Sequence, residues 1–178
     1  MNLKIFNSTV ELAKTFCDHL KKMSEEKDKL YIALSGGSTP GIIFSLLASE
    51  YHSSIKWNRI HFFWGDERMV PPEHPESNYG FTKTKLFDLI YLPKENIHRV
   101  YGENEPEKEA LRYAAEIKKF VPINRESPQF DLMILGLGED GHTASIFPDQ
   151  LQLLSSKNIC EVAVHPDSKQ KRITLTGQ

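Results

Sequence analysis

Three apolar runs, residues 30–34, 59–64 and 130–135, each stop at a polar, glycine-bearing loop. All three read as strands, and the compact run 30–34 suits one buried on both faces, the environment of a parallel sheet. Amphipathic stretches lie between and around them. Val10, Leu12, Ala13, Phe16, Cys17, Leu20 and Met23 fall near helical spacing, and residues 42–48, 81–89 and 106–121 also read as helix. Thr39 and Pro40 supply a hydroxyl cap and an N-terminal proline for the second helix. Residues 3–6 read as a first strand, and residues 159–164 and 173–176 as further strands. The alternation predicts an α/β fold, a mostly parallel sheet flanked by helices in a Rossmann-like layered arrangement. With no repeat and no Gly/Ser-rich linker, the 178 residues are expected to form a single domain.

If the sheet is parallel, the three loops leave its carboxyl edge together, where ligands of such sheets bind. The first loop, Ser35-Gly36-Gly37-Ser38-Thr39-Pro40, runs into a helix N-terminus. Its glycines admit a ligand close to the backbone, and its N–H groups, hydroxyls and helix dipole suit a phosphate. It lacks the Gly-Lys-Ser/Thr of a Walker loop. The second loop, residues 65–80, is stiffened by prolines and carries Asp66, Glu67 and Arg68. Arg68 offers a planar fork for phosphate or carboxylate oxygens, and Asp66 and Glu67 are candidates for a proton or a sugar hydroxyl.

The third loop begins Gly136-Leu137-Gly138-Glu139-Asp140-Gly141-His142. A histidine beside carboxylates at the end of a buried strand is placed to act as a general base near neutral pH. Glu139 or Asp140 would hold its ring, and the glycines, Gly138 among them, would present N–H groups to an oxyanion.

Composition excludes several other classes. Lys+Arg 22 against Asp+Glu 24 gives a net charge of -2, which argues against a nucleic-acid partner. No apolar run nears the roughly 20 residues of a membrane span. Cys17 and Cys160 make no disulfide framework, and with no signal peptide the expected location is cytoplasmic. The other histidines show no ligand spacing, so no metal is expected. Gly136-x-Gly138-x-x-Gly141 fits the dinucleotide fingerprint, but Glu139 and Asp140 would face the pyrophosphate and Pro148 would break the helix. Ala33-Leu34-Ser35-Gly36-Gly37 approximates a nucleophile elbow, too early in the chain for a hydrolase serine.

Residues 35–40, Gly65-Asp66-Glu67-Arg68 with Pro75-Glu76-Ser77-Asn78-Tyr79-Gly80, and residues 136–148 together resemble the 6-phosphogluconolactonase family, in order and separation. Arg172-Ile173-Thr174-Leu175-Thr176 resembles a further segment of it. The related glucosamine-6-phosphate deaminases share the Asp-Gly-His core. They usually continue it with an Asn-Glu-Pro type sequence, where this chain has Ser145-Ile146-Phe147-Pro148.

The resemblance implies hydrolysis of 6-phospho-D-glucono-1,5-lactone to 6-phosphogluconate, in the oxidative pentose phosphate pathway and without a cofactor. His142 would be the base and Asp140 a catalytic partner. Ser35, Gly36, Gly37, Ser38, Thr39, Arg68 and Arg172 would bind the substrate with Gly138, and Asp66 would meet sugar hydroxyls. The expected state is a monomer or weak homo-oligomer. The alternatives are a deaminase on the same scaffold and a non-catalytic sugar-phosphate-binding domain. Family members generally continue past the position of Gln178, so the expectation includes a missing sheet edge with exposed apolar surface.

Overall fold

A computed structural model describes residues 2–178. Helix α1 (Thr9–Glu26) is capped by the Ser8 side chain, which accepts from the Glu11 N–H. Strand β1 (Leu30–Leu34) follows and is almost wholly buried. Then come α2 (Ser38–Glu50) and β2 (Ile60–Trp64), every residue of β2 being buried. The chain continues through β3 (Asp66–Arg68), α3 (Asn78–Lys85) and α4 (Pro106–Phe120). Short strands β4 (Ile123–Asn124), β5 (Ser127–Pro128) and β6 (Leu132–Met133) precede the hairpin of β7 (Cys160–Val164) and β8 (Lys171–Leu175).

The parallel sheet is ordered β2-β1-β6, with Leu30 opposite Ile60 and Leu34 opposite Trp64. One apolar cluster joins α1, α2, β1 and β2 around Phe44, Phe62 and Trp64. A second packs α4 against the strands through Tyr113, Ile117 and Phe63. The Tyr113 hydroxyl accepts from the Trp64 N–H at 2.7 Å and donates to the Trp64 carbonyl at 3.0 Å, satisfying the strand end where the first sheet stops.

Beyond that end the chain changes sheets. Strands β3, β8 and β7 form an antiparallel sheet that helix-strand alternation did not anticipate. Gly65 is the joint: its N–H donates to Leu34 of β1, and its carbonyl accepts from Leu175 of β8. Residues 66–68, expected in a loop, are therefore a strand.

Other boundaries also move. Residues 3–6 form no strand, because no sheet edge lies alongside them, and Leu3 and Ile5 are 76% and 86% exposed. The cap of α2 is Gly37 at φ 105°, not Thr39, which lies in the first turn. The helix expected over 81–89 runs from Asn78 to Lys85 and ends in a 3₁₀ turn, because Ser77 caps it early by accepting from the Gly80 N–H. The strand read over 130–135 pairs over only Leu132 and Met133. Beyond it Leu135 and Leu137 are exposed.

Candidate active site

The three loops meet. Residues 35–40, Asp66, Arg68, Asn78, residues 136–138, His142, Ala144 and Arg172 line one cleft of about 330 Å³. Strand β1 delivers the first loop, the β2–β3 joint delivers the second, and β6 delivers the third.

At one wall the chain turns tightly to present an imidazole. The Gly138 N–H donates to the His142 carbonyl at 2.8 Å, and the Gly141 N–H donates to the Gly138 carbonyl at 3.0 Å. These glycine N–H groups are thus spent inside the turn and are not the oxyanion donors that the sequence suggested. Gly138 instead makes room, since a Cβ there would overlap the His142 ring. His142 Nδ1 lies 2.5 Å from Asp140 Oδ1, which identifies the carboxylate that holds the ring; Glu139 makes no such contact. That bond keeps the Asp140 carboxyl below its ordinary range. The ring rests on the buried Phe147, centroid to centroid at 4.9 Å.

Another part of the lining is cationic. Arg68 on β3 and Arg172 on β8 are cross-strand partners, and Nε of each is buried with no hydrogen-bond partner. Burial, with Arg68 nearby, pulls the Arg172 guanidinium below its ordinary pKa. An unpaired buried N–H is costly, and two like charges in register add repulsion. The first loop adds donors. Ser38 and Thr39 open α2, where N–H groups have no intrahelical acceptor, and no side chain caps them.

Asp66 and Glu67 have divergent fates because a strand sends neighbours to opposite faces. Asp66 faces the cleft, where Oδ2 accepts from the Ser145 hydroxyl at 2.7 Å and Oδ1 from Asn78 Nδ2 at 3.3 Å. Glu67 points inward and is consumed structurally. It accepts from the N–H groups of Arg68, Asn78 and Tyr79 at 2.7–2.8 Å and from the Ser77 hydroxyl at 3.2 Å. Burial pushes its carboxyl up, while these N–H bonds pull it down. His74 lies on the surface, beside Glu76.

Asn78, which lines the cleft, and Ser145, which lies buried behind it, went unmarked as site residues in the sequence. Asn78 packs its amide against Gly36 so closely that a Cβ there would collide with it. Ser145, fully buried, links Asp66 to β8. The Asn after Ser77 was readable as part of the Pro-Glu-Ser-Asn-Tyr-Gly run, but its contact with Gly36 depends on tertiary packing. Among the described residues, no group of three or more His, Cys, Asp or Glu side chains is disposed to hold a metal ion. No helix among the described residues is long and apolar enough to cross a membrane.

An α/β layer with a histidine–carboxylate turn facing a cationic cradle defines a protein built to hold a small anionic ligand against a proton-transferring group. Residues 7–178 match the family described as glucosamine-6-phosphate isomerases/6-phosphogluconolactonase, and the chain belongs to that family. It is 48% identical to the 6-phosphogluconolactonase of Haemophilus influenzae over 156 residues, which is 87% of this chain and 65% of that protein. It superposes on the crystal structure of the devB protein with a TM-score of 0.95 at 45% identity, covering 97% of this chain and 73% of that one. The 6-phosphogluconolactonase of Thermotoga maritima superposes with a TM-score of 0.83 at 35% identity, covering 98% and 76%. The chain thus spans about two-thirds to three-quarters of the length of these relatives.

Proposed function

We propose that the protein hydrolyses 6-phospho-D-glucono-1,5-lactone to 6-phospho-D-gluconate. The observation that carries this reading is the cleft itself, with a carboxylate-held imidazole at one wall and two guanidiniums with unsatisfied Nε at the other. The phosphate lies between Arg68, Arg172 and the N–H groups and hydroxyls of residues 35–39. The lactone carbonyl then faces His142, with Asp66 toward the sugar hydroxyls. His142 takes a proton from water as the oxygen attacks C1. The tetrahedral oxyanion is met by the N–H groups of Gly136 and Leu137, which make no hydrogen bond among the described residues. Collapse of the intermediate breaks the C1–ring oxygen bond, and the imidazolium returns its proton to that oxygen. Asp140 fixes the ring so that Nε2 faces the cleft. A lactone is an activated ester, so this route uses no cofactor. Names of relatives across the match support the substrate.

The test is acid release from freshly prepared lactone in weak buffer, net of the spontaneous rate. His142→Ala is expected to lower kcat by about 10²–10⁴-fold, the usual worth of a general base. Asp140→Asn should lower kcat by about tenfold with KM unchanged, as befits an orienting group. Turnover by His142→Ala close to that of the unaltered protein would remove the base from this mechanism. Ammonia release from glucosamine 6-phosphate would place the chain with the deaminases instead.

A further inference from the structure

The antiparallel sheet presents two cross-strand rows to the cleft. Asp66 is opposite Thr174, and Arg68 is opposite Arg172. Asp66 and Arg172 are diagonal neighbours of opposite charge, at a spacing that long side chains close easily. They do not close. Arg172 Nη1 stays 3.9 Å from Asp66 Oδ2, at the outer limit of an ion pair, although both side chains are nearly buried and the attraction there is strong.

What stands beside that gap is Ser145. Its hydroxyl proton is given to Asp66 Oδ2 at 2.7 Å, and its oxygen lies 3.4 Å from Arg172 Nη1. The backbone holds it in place: the Ser145 N–H donates to Thr174 Oγ1 at 3.2 Å, which ties the residue to the same strand that carries Arg172. Ala144, immediately before it, is held at φ 49°, a left-handed conformation that a non-glycine residue adopts only when its surroundings insist. Two residues later Phe147 lies under the guanidinium, with Arg172 Cζ 5.5 Å from its ring centroid. Asn78 Nδ2 steadies the far oxygen of the carboxylate.

We infer that Ser145 is a positioning residue that keeps Asp66 off Arg172, leaving the guanidinium charge for a phosphomonoester dianion. The inference rests on the reading of this wall as the anion end of the cleft. A hydroxyl between two opposite charges satisfies the carboxylate without neutralising the cation. Without it the carboxylate swings to the guanidinium, forms a direct pair, and competes with the ligand for the same N–H groups.

Inorganic phosphate is the probe, measured by calorimetry without substrate and by its inhibition of lactone hydrolysis. Ser145→Ala should weaken phosphate binding and raise KM by about tenfold each, the worth of one charge-assisted hydrogen bond, with kcat changed less than about twofold. Adding Asp66→Asn should bring phosphate binding back to within about twofold of the unaltered protein, because an amide carries no charge to pair with Arg172. A merely structural role would lower thermal stability and kcat together, and the second substitution would not rescue it. If Ser145→Ala does not fold, Ser145→Cys keeps the volume with a weak donor and carries the same expectation. Unchanged phosphate affinity in the folded variant overturns the inference. So does a double variant as weak as the single one, or an unaltered protein that binds no phosphate. Phosphate binding that follows the expected pattern in a protein without lactone turnover would sustain the spacer and refute the proposed function alone.

Discussion

Arg68 and Arg172 sit directly opposite one another on adjacent antiparallel strands, each with a buried Nε that no protein atom accepts from. Such a pair costs stability, which an anion bound between the two would offset. Arg172→Met should therefore unfold at the same urea concentration as the unaltered chain or a higher one, while KM for the lactone rises by about a hundredfold. Phosphate at about 100 times its dissociation constant should stabilise the unaltered protein by about 2.7 kcal/mol and leave the variant unmoved. Urea titrations with and without phosphate separate the two effects. A large loss of stability in Arg172→Met would mean that the arginine serves the fold.

Glu67 carries the start of α3 on one carboxylate. Glu67→Gln replaces one acceptor oxygen by a donor facing backbone N–H groups, so a loss of about 2–3 kcal/mol is expected. The denaturation midpoint should fall with an unchanged slope, since the surface exposed on unfolding is the same. Because Asn78 begins that helix and touches Gly36, activity should fall with stability. Full activity in a destabilised variant would show that the cleft does not depend on this cap.

Acid sensitivity is expected from a buried pair far from the cleft. His61 Nδ1 lies 3.0 Å from His98 Nε2, and His98 Nδ1 lies 2.7 Å from Glu116 Oε1. Burial, with His98 and Lys29 nearby and Glu95 opposing, pushes His61 down from 6.5 to about 4. Burial also lowers His98, against the pull of Glu116, with Lys119 adding to the lowering. The unfolded chain takes up the His61 proton near 6.5 and the folded one only near 4, so stability is complete above 6.5 and drains away as pH falls. The slope approaches about 1.4 kcal/mol per pH unit for that proton. Urea unfolding at intervals from pH 7 to 4 should show it, with a shallower slope in His61→Gln. Parallel slopes in the two proteins would dismiss the pair as the source.

The parallel core was readable because β1 and β2 are apolar but for His61, and the meeting of the three loops follows from parallel strands alone. The antiparallel sheet was not readable, and the reason lies in Asp66-Glu67-Arg68. Three charged residues after a glycine look like a solvated turn, whereas in a strand the outer two face the cleft and the middle one turns inward to cap a helix. Only pairing with β8 reveals the alternation. Similarly, Leu3 and Ile5 alternate like a strand, but pairing needs a neighbour, and none runs beside them. His142 could be named from the motif and its partner narrowed to Glu139 or Asp140, because the contact is local. Ser145, Asn78 and the hydrogen-bonded Gly138 N–H could not, because their partners lie on other segments or depend on which way the turn closes.

The joint at Gly65 has a further consequence. The imidazole rides on the strands to one side of it and the two arginines on the strands to the other, so a molecule that fills the cleft rivets two sheets whose backbones share one glycine. The apolar cluster that joins Ala33 and Phe63 to Cys160, Ile173 and Leu175 already holds this seam, so loosening of the β7–β8 hairpin would move Arg172 relative to the imidazole only by breaking that shared core.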